Sequence, residues 1–136
     1  MIIGLGSDIV EIARIGELLR RHEERFLRRV FTERERALAA ERGIGAQAPT
    51  LAKRFAAKEA TAKALGSGFR AGVQWHEIEV INNDMGAPEL KLHGGAAARL
   101  NLLLPAGHAP RLHLTLSDER RYALAVVIIE ALPRQG

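Results

Sequence analysis

Branched apolar residues open the chain and predict a strand. Two glycines interrupt the run, which consists of Ile2, Ile3, Leu5, Ile9 and Val10 with Gly4 and Gly6 between them. We expect this strand to turn into a helix near Asp8 to Glu11. Further apolar residues then recur at helical spacing, at Leu18, Leu19, Phe26, Leu27 and Val30.

The middle of the chain carries signals for the start and the end of a second helix. Thr32 is followed three residues later by Glu35, the pattern of a capping box. The helix that begins there should end by Gly43 or Gly45, because glycine permits the closing conformation. We expect Gly43 to Pro49 to be a linker between helices.

A third helix is predicted to be the longest in the chain. Thr50 can cap its first turn, and the helix then carries Lys53 to Leu65. It should end at Gly66 and Gly68, since glycine adopts the left-handed conformation without strain.

The second half of the chain predicts strands and one more helix. Ile78 to Ile81 and Leu90 to Leu92 flank Asn83 to Gly86, a turn signal that suits a hairpin. The Ala- and Leu-rich segment from Gly94 to Leu104 predicts a helix.

The last segments predict a strand pair that includes the centre of a sheet. Arg111 to Leu116 alternates polar and apolar residues, and a polar turn follows from Asp118 to Arg121. Tyr122 to Ile129 is almost wholly apolar, so we expect a central strand that is covered on both faces.

Composition restricts the class of protein. The 136 residues, 47% of them hydrophobic, suffice for a single domain over residues 1–136. The chain has no cysteine, which excludes disulfides and thiolate metal sites. Its first residues lack the pattern of a signal sequence, so we expect none, and its longest apolar stretch, Ala123 to Ile129, is too short for a membrane span. We therefore expect a cytoplasmic protein without a membrane partner.

The charge of the chain suggests an anionic partner. The formal net charge is +4, which suits nucleic acid, a nucleotide or an acidic protein equally well. Only 4% of the residues are aromatic, which argues against a protein that stacks nucleic-acid bases.

Two acidic residues lie where an acid is costly unless it is used. Asp8 ends an apolar strand, and Glu59 lies within a helix among alanines. Two carboxylates, completed by water and phosphate oxygens, make the hard oxygen shell that Mg²⁺ prefers. Alternatively, Asp8 caps a helix and Glu59 pairs with Lys63 four residues later on an exposed face.

Basic residues surround Glu59 and suit a pyrophosphate. Lys58 and Lys63 flank it, and Lys53 and Arg54 come one turn earlier. An ordinary charged helix surface explains the same pattern. The turn Gly66-Ser67-Gly68 follows a helix and lacks the lysine of a P-loop, which excludes a P-loop NTPase.

One histidine lies in a pattern that could serve a ligand. His113, Thr115 and Ser117 share one face of a strand, opposite Leu114 and Leu116. This face is either a solvated surface or a set of hydrogen-bonding groups for a phosphate or for the amides of a ligand. The histidines of the chain do not show the paired spacing of zinc ligands, which argues against a zinc site.

Three segments together resemble the bacterial holo-[acyl-carrier-protein] synthases of the phosphopantetheinyl transferase superfamily. They are Ile3 to Ile12, Arg54 to Gly68 with its Lys58-Glu59-Ala60 centre, and His113 to Glu119 leading into Val126 to Glu130. They follow one another in the family's order across nearly the whole chain.

The resemblance implies a fold and a function. The fold would be the α+β phosphopantetheinyl transferase fold, an antiparallel sheet with a long helix packed on it. The function would be transfer of 4'-phosphopantetheine from coenzyme A to a serine of apo acyl carrier protein, by default in fatty-acid biosynthesis. A homotrimer with active sites between subunits is also implied. The alternative is a basic non-catalytic module that binds nucleic acid or an acidic protein, although such a module gains nothing from acids in its site.

The resemblance also assigns roles to residues. Asp8 and Glu59 would hold Mg²⁺, and Lys63 would contact the pyrophosphate, which makes these three the catalytic group. Other residues would bind coenzyme A, namely Arg54, Gly66, Ser67, Gly68, His113 and Thr115. The acidic carrier would dock on a stripe of the first helix formed by Arg14, Arg21, Arg25 and Arg28.

Overall fold

The computed structural model describes residues 1–135, in which strands and helices are mixed. The strands are β1 (Ile2–Glu11), β2 (Ile78–Asn82), β3 (Pro88–Leu92), β4 (His108–Glu119) and β5 (Tyr122–Pro133). The helices are α1 (Ile12–Val30), α2 (Glu33–Glu41), α3 (Ile44–Ala64) and α4 (Gly94–Leu103), and a 3-10 turn covers Trp75–Glu77. The α+β prediction is confirmed.

The main sheet is antiparallel and has β5 at its centre. Its strand order is β1-β5-β4, and β2 pairs with β3 in a separate hairpin. The register places Asp8 opposite Ala125, and Ala125 opposite Leu116. Helix α3 covers one face of this sheet, as the long-helix prediction required.

Two glycines let β1 lie directly against α3. A Cβ built on Gly6 would collide with the carbonyl oxygen of Ala60, and a Cβ built on Gly4 would collide with that of Ala64. The neighbouring atoms belong to helix backbone, so they cannot rotate away. This close approach brings the end of β1 beside the second half of α3.

The first strand is longer than predicted. It continues through Glu11, and the helix begins at Ile12 with Glu11 as its N-cap residue. The change to helix, expected near Asp8 to Glu11, therefore falls at the end of that range, and Asp8 does not cap a helix. Pairing explains the difference, because every residue from Ser7 to Glu11 has a partner on β5 that favours the extended conformation.

The helix α3 begins earlier than predicted. It starts at Ile44, so the linker expected from Gly43 to Pro49 is wrong. Pro49 lies inside the helix near its start and removes only one backbone hydrogen bond. Thr50 is a buried interior residue and not a cap. The C-terminal end follows the prediction, because Gly66 and Gly68 both have positive φ.

Two predictions made from local sequence signals, the capping box and the hairpin, are confirmed. The Thr32 hydroxyl accepts the backbone N–H of Glu35, and the Glu35 carboxylate accepts that of Thr32, which completes the capping box. The hairpin closes between Asn82 and Pro88. The last turn is tighter than predicted, since β4 and β5 extend to Glu119 and Tyr122.

The central strand β5 is covered fully on one face only. Its inner face, which includes Ala123, Ala125 and Val127, is 0% exposed beneath α3. On the outer face Tyr122 is 44% and Leu124 is 40% exposed. The prediction of two covered faces therefore fails for the single chain.

No helix within residues 1–135 is both long enough and apolar enough to cross a membrane.

Candidate active site

Asp8 and Lys63 meet where β1 passes α3. Asp8 lies on the inner face of β1, and only 17% of its side chain is exposed. The Lys63 ammonium donates to the Ser7 carbonyl oxygen at 2.9 Å and lies 3.3 Å from Asp8 Oδ1. Since 54% of the Lys63 side chain is exposed, its charge remains accessible to an anion.

Glu59 lies one helical turn before Lys63, on the same side of α3. Partial burial raises the pKa of the Glu59 carboxyl, and the nearby negative charge of Asp8 raises it further. Lys63 and Arg14 act in the opposite direction. The two carboxylates therefore lie close enough to repel each other, and Lys63 pairs with Asp8 instead of forming the Glu59–Lys63 pair considered as an alternative.

The two carboxylates suit a hard cation that brings its own additional ligands. Within residues 1–135 no group of three metal-ligating side chains is found. Mg²⁺ commonly takes one or two protein carboxylates and completes its shell with water and phosphate oxygens. Asp8 and Glu59 fit that description, and a cation held by both would relieve the repulsion between the two carboxylates.

Arg54, a predicted coenzyme A contact, is buried in the single chain. It is 2% exposed in the single chain and donates to the Thr50 carbonyl oxygen at 3.3 Å. Burial lowers the pKa of Arg54, and the charge of Arg42 lowers it further. The Arg54 Nε is buried without a hydrogen-bond partner in the described chain.

Lys53 and Lys58 do not face the two carboxylates. Lys58 is 0% exposed and pairs with Glu35 on α2 at 2.8 Å. Lys53 pairs with Asp118 on β4 at 3.1 Å. The expectation that all the basic residues around Glu59 serve one pyrophosphate is therefore wrong for these two, because they lie on other sides of α3.

The turn after α3 lies beside a cation that the sequence analysis missed. Arg99 on α4 donates through Nε to the Leu65 carbonyl oxygen at 3.0 Å. A Cβ on Gly66 would lie 3.4 Å from Arg99 Nη2. Arg99 was missed because it is the single charged residue of an Ala- and Leu-rich helix, a setting that gives no signal for a site.

The structure places His113 and Thr115 on the outer face of the sheet, away from Asp8. The alternation with Leu114 and Leu116 is confirmed by their burial. His113 Nε2 lies 3.0 Å from Glu130 Oε1, and the hydrogen bond to His113 lowers the pKa of Glu130. A single chain therefore does not bring His113 to Asp8 and Glu59.

The predicted docking arginines divide into two groups along α1. A kink at His22, which has non-helical backbone angles, separates Arg14 and Arg21 from Arg25 and Arg28. Arg14 lies 5.8 Å above the Phe55 ring and its charge acts on Glu59. Arg14 thus relates the predicted docking stripe to Glu59 through its charge.

A basic and aromatic groove adjoins the second group. Arg25 and Arg28 line it together with Phe69 and Trp75, and its volume is about 690 Å³. Phe69 and Trp75 stack with their ring centroids 3.8 Å apart. Arg21 and Arg28 also pair with Glu17 and Glu24 on their own helix, so their charges are partly compensated.

Comparisons with known proteins agree with this arrangement. The model of the 4'-phosphopantetheinyl transferase superfamily matches residues 4–127, a range that contains Asp8, Glu59 and Lys63. The holo-[acyl-carrier-protein] synthase of Methylobacterium radiotolerans is 57% identical over 133 residues, which cover 98% of this chain and 96% of that protein.

Solved structures of holo-[acyl-carrier-protein] synthases have a similar fold. The holo-[acyl-carrier-protein] synthase of Neisseria meningitidis superposes with a TM-score of 0.82 at 36% identity, covering 96% of this chain and 99% of that one. The synthase of Bacillus anthracis in complex with CoA (3',5'-ADP) superposes with a TM-score of 0.77 at 35% identity, covering 97% and 99%.

Proposed function

We propose, since this chain belongs to the 4'-phosphopantetheinyl transferase superfamily, that it transfers 4'-phosphopantetheine from coenzyme A to a serine of apo acyl carrier protein. Adenosine 3',5'-bisphosphate is the second product. The observation that carries the proposal is the meeting of Asp8, Glu59 and Lys63 where β1 passes α3.

The reaction exchanges one phosphorus–oxygen bond for another. The serine oxygen of the carrier attacks the β-phosphorus of coenzyme A, and the bond from that phosphorus to the bridging oxygen breaks. The bridging oxygen leaves with adenosine 3',5'-bisphosphate, and the serine loses a proton. Catalysis of this kind depends on positioning and on positive charge around the phosphoryl oxygens.

Asp8 and Glu59 would hold Mg²⁺ at the pyrophosphate. The bound metal would neutralise charge on the phosphoryl oxygens and orient the leaving group. Lys63 would supply a second positive centre, since its ammonium lies 3.3 Å from Asp8 Oδ1 and is half-exposed. All three side chains are anchored on β1 and α3, which are regular elements packed against each other.

Glu59 is also our candidate for accepting the serine proton, directly or through a water that it or the metal holds. Burial and the charge of Asp8 raise the pKa of Glu59. A carboxylate with a raised pKa is a stronger base than an ordinary one at neutral pH.

Product formation tests the proposed activity. The protein is incubated with coenzyme A and an apo acyl carrier protein, and adenosine 3',5'-bisphosphate is measured by chromatography. We expect release of this product only when both the carrier and Mg²⁺ are present, and none with EDTA. Release that is independent of the carrier would indicate a coenzyme A hydrolase and would contradict the proposal.

We further propose that the carrier docks on α1 through Arg14, Arg21, Arg25 and Arg28. Two observations support this proposal. The charge of Arg14 on α1 acts on Glu59, and a groove lies beside Arg25 and Arg28. A row of positive charges steers an acidic partner and weakens as salt is added.

Charge reversal tests this docking surface. Arg14→Glu with Arg21→Glu should raise the KM for the carrier strongly, leave the KM for coenzyme A nearly unchanged and flatten the salt dependence. Arg134→Glu, an exposed reversal near the end of the chain, is the matched control. Equal loss toward both substrates, or no loss, would show that this stripe is not the docking surface.

A homotrimer with active sites between subunits completes the proposal. The outer face of the sheet exposes apolar side chains that a neighbouring copy could cover, with Leu5 at 68% and Ile9 at 62% exposure. His113 and Thr115 lie on this same face, so a neighbouring subunit could bring them to coenzyme A with Arg54 and the Gly66-Ser67-Gly68 turn. Light scattering should give three times 14.9 kDa, and a fully active monomer would contradict it.

The setting we propose is the cytoplasm, with the carrier of fatty-acid biosynthesis as the default partner. A chain without cysteine gains nothing from an oxidising compartment.

A further inference from the structure

Lys58, the residue directly before Glu59, is the most deeply buried charged side chain next to the site. Its exposure is 0%. The ammonium donates to Glu35 Oε1 at 2.8 Å, to the Trp75 carbonyl oxygen at 3.2 Å and to the Ile78 carbonyl oxygen. The three hydrogen atoms of the ammonium therefore all have partners.

Glu35 is held as completely as Lys58. Besides Lys58, its carboxylate accepts the backbone N–H of Thr32 at 2.9 Å and that of Val80 at 2.9 Å. Glu35 is 1% exposed. The pair thus connects the middle of α3 to the start of α2, to the 3-10 turn and to β2.

The position of this pair on α3 relates it to the catalytic group. Successive residues of a helix point about 100° apart, so Lys58 is directed to α2 and β2 while Glu59 is directed to β1. A rotation of α3 about its axis would break the three hydrogen bonds of Lys58. That rotation decides whether Glu59 and Lys63 face Asp8.

We propose that Lys58, held by Glu35, is a positioning residue that keeps Glu59 and Lys63 directed at Asp8. This inference rests on the proposed function, because it concerns the geometry of the metal and pyrophosphate site. Lys58 itself touches neither the substrate nor the metal.

Because the Lys58–Glu35 ion pair is buried, a contribution to folding stability does not by itself explain its presence. An ion pair taken out of water gains little net stability, and apolar residues of similar volume often replace such a pair without loss of folding. The ammonium and carboxylate hydrogen bonds have fixed directions, so they restrict the rotation of the helix more narrowly than apolar side chains of the same volume would.

The test replaces the pair by apolar residues of similar size. Lys58→Met alone would leave the Glu35 carboxylate buried without its cation and could prevent folding, so the decisive variant is Lys58→Met with Glu35→Leu. The matched control is Val80→Ala, which removes a buried side chain from β2 but keeps the backbone N–H that Glu35 accepts.

The readout is the Mg²⁺-dependent gain in coenzyme A affinity, defined as the Kd in EDTA divided by the Kd in Mg²⁺, measured by calorimetry without carrier. The gain depends on whether Asp8 and Glu59 can share one metal with the pyrophosphate. In the double variant this gain should be about tenfold smaller than in the wild type, or should disappear so that the ratio is near one. Changes to residues that orient metal ligands have effects of this size. The Kd in EDTA should stay within about twofold, since charge contacts other than the metal are kept.

The outcomes separate positioning from a structural role. A double variant with a lower Tm but the wild-type gain would overturn the inference, as would a Val80→Ala protein that loses the gain equally. A double variant that does not fold would also overturn it, since the pair would then serve folding itself. A wild-type protein without any Mg²⁺-dependent gain would contradict the proposed metal site and the inference with it.

Discussion

Replacing Gly6 by alanine would separate β1 from α3 at the place where the acids meet. A Cβ on Gly6 would lie 2.9 Å from the backbone nitrogen of Ala64 and 3.0 Å from the carbonyl carbon of Ala60, and closer still to the Ala60 carbonyl oxygen. All three atoms belong to the backbone of one helix, so only a movement of the whole strand or helix relieves the contact.

The size of that movement sets the expected effect. Carbon and oxygen atoms in ordinary contact lie about 3.3 Å or more apart, so β1 and α3 must move apart by on the order of 1 Å. Overpacking of this kind costs about 1–3 kcal/mol, which lowers the Tm of a domain of this size by roughly 4–12 °C. A displacement of about 1 Å between reacting groups can cost about a hundredfold in rate.

The assay compares Gly6→Ala with Gly45→Ala. Gly45 lies in the first turns of α3, and a Cβ there would meet nothing within 4 Å, so alanine should leave stability and activity unchanged or stabilise the helix slightly. We expect Gly6→Ala to lower kcat/KM about a hundredfold at a temperature where both proteins are folded. Wild-type Tm and kcat/KM in Gly6→Ala would refute the claim that close approach of β1 and α3 forms the site.

Two further predictions concern the charges of the site. Lys63→Ala should lower kcat about a hundredfold, as loss of one preorganised donor does, with little change in Tm because the side chain is 54% exposed; unchanged kinetics would remove Lys63 from the site. Burial and Asp8 raise the pKa of Glu59, so its contribution to stability is present at low pH and is lost as the pH rises through that pKa. Glu59→Gln should therefore raise the Tm of the metal-free protein at about pH 8 and not at about pH 4, and an equal difference at both pH values would show that Glu59 titrates normally.

Local signals predicted a large part of the fold. The capping box of Thr32 and Glu35 and the hairpin around Asn83 each depend on residues that are close in sequence. Their effect on the backbone is direct, since the side chain or the turn conformation acts within a few residues. The strand pair at the end of the chain was found for the same reason.

Boundaries that depend on distant partners were predicted less accurately. β1 extends to Glu11 because β5 pairs with it, although β5 lies more than a hundred residues away. α3 includes Pro49 because burial of residues such as Leu51 and Ala52 stabilises the helix against a local breaking signal. Tertiary packing in both places outweighs local preference.

The candidate site was predicted in part. The resemblance directed attention to Asp8, Glu59 and Lys63, and the structure brings these three together. The sequence could not reveal that Lys58 pairs with Glu35 on α2 or that Arg99 lies beside Gly66. Both facts depend on which face of a helix meets which neighbour, and this is decided by packing across the whole fold.

The intact mass of an apo acyl carrier protein, measured after incubation with this protein, coenzyme A and Mg²⁺, tests the central claim most directly. The comparison uses Asp8→Ala and Glu59→Ala proteins shown to be folded by their circular dichroism spectra, and a carrier whose acceptor serine is replaced by alanine. We predict that the carrier gains the mass of 4'-phosphopantetheine only with the wild-type protein and the intact serine. An unmodified carrier with the wild-type protein, or full modification by either variant, would contradict the account.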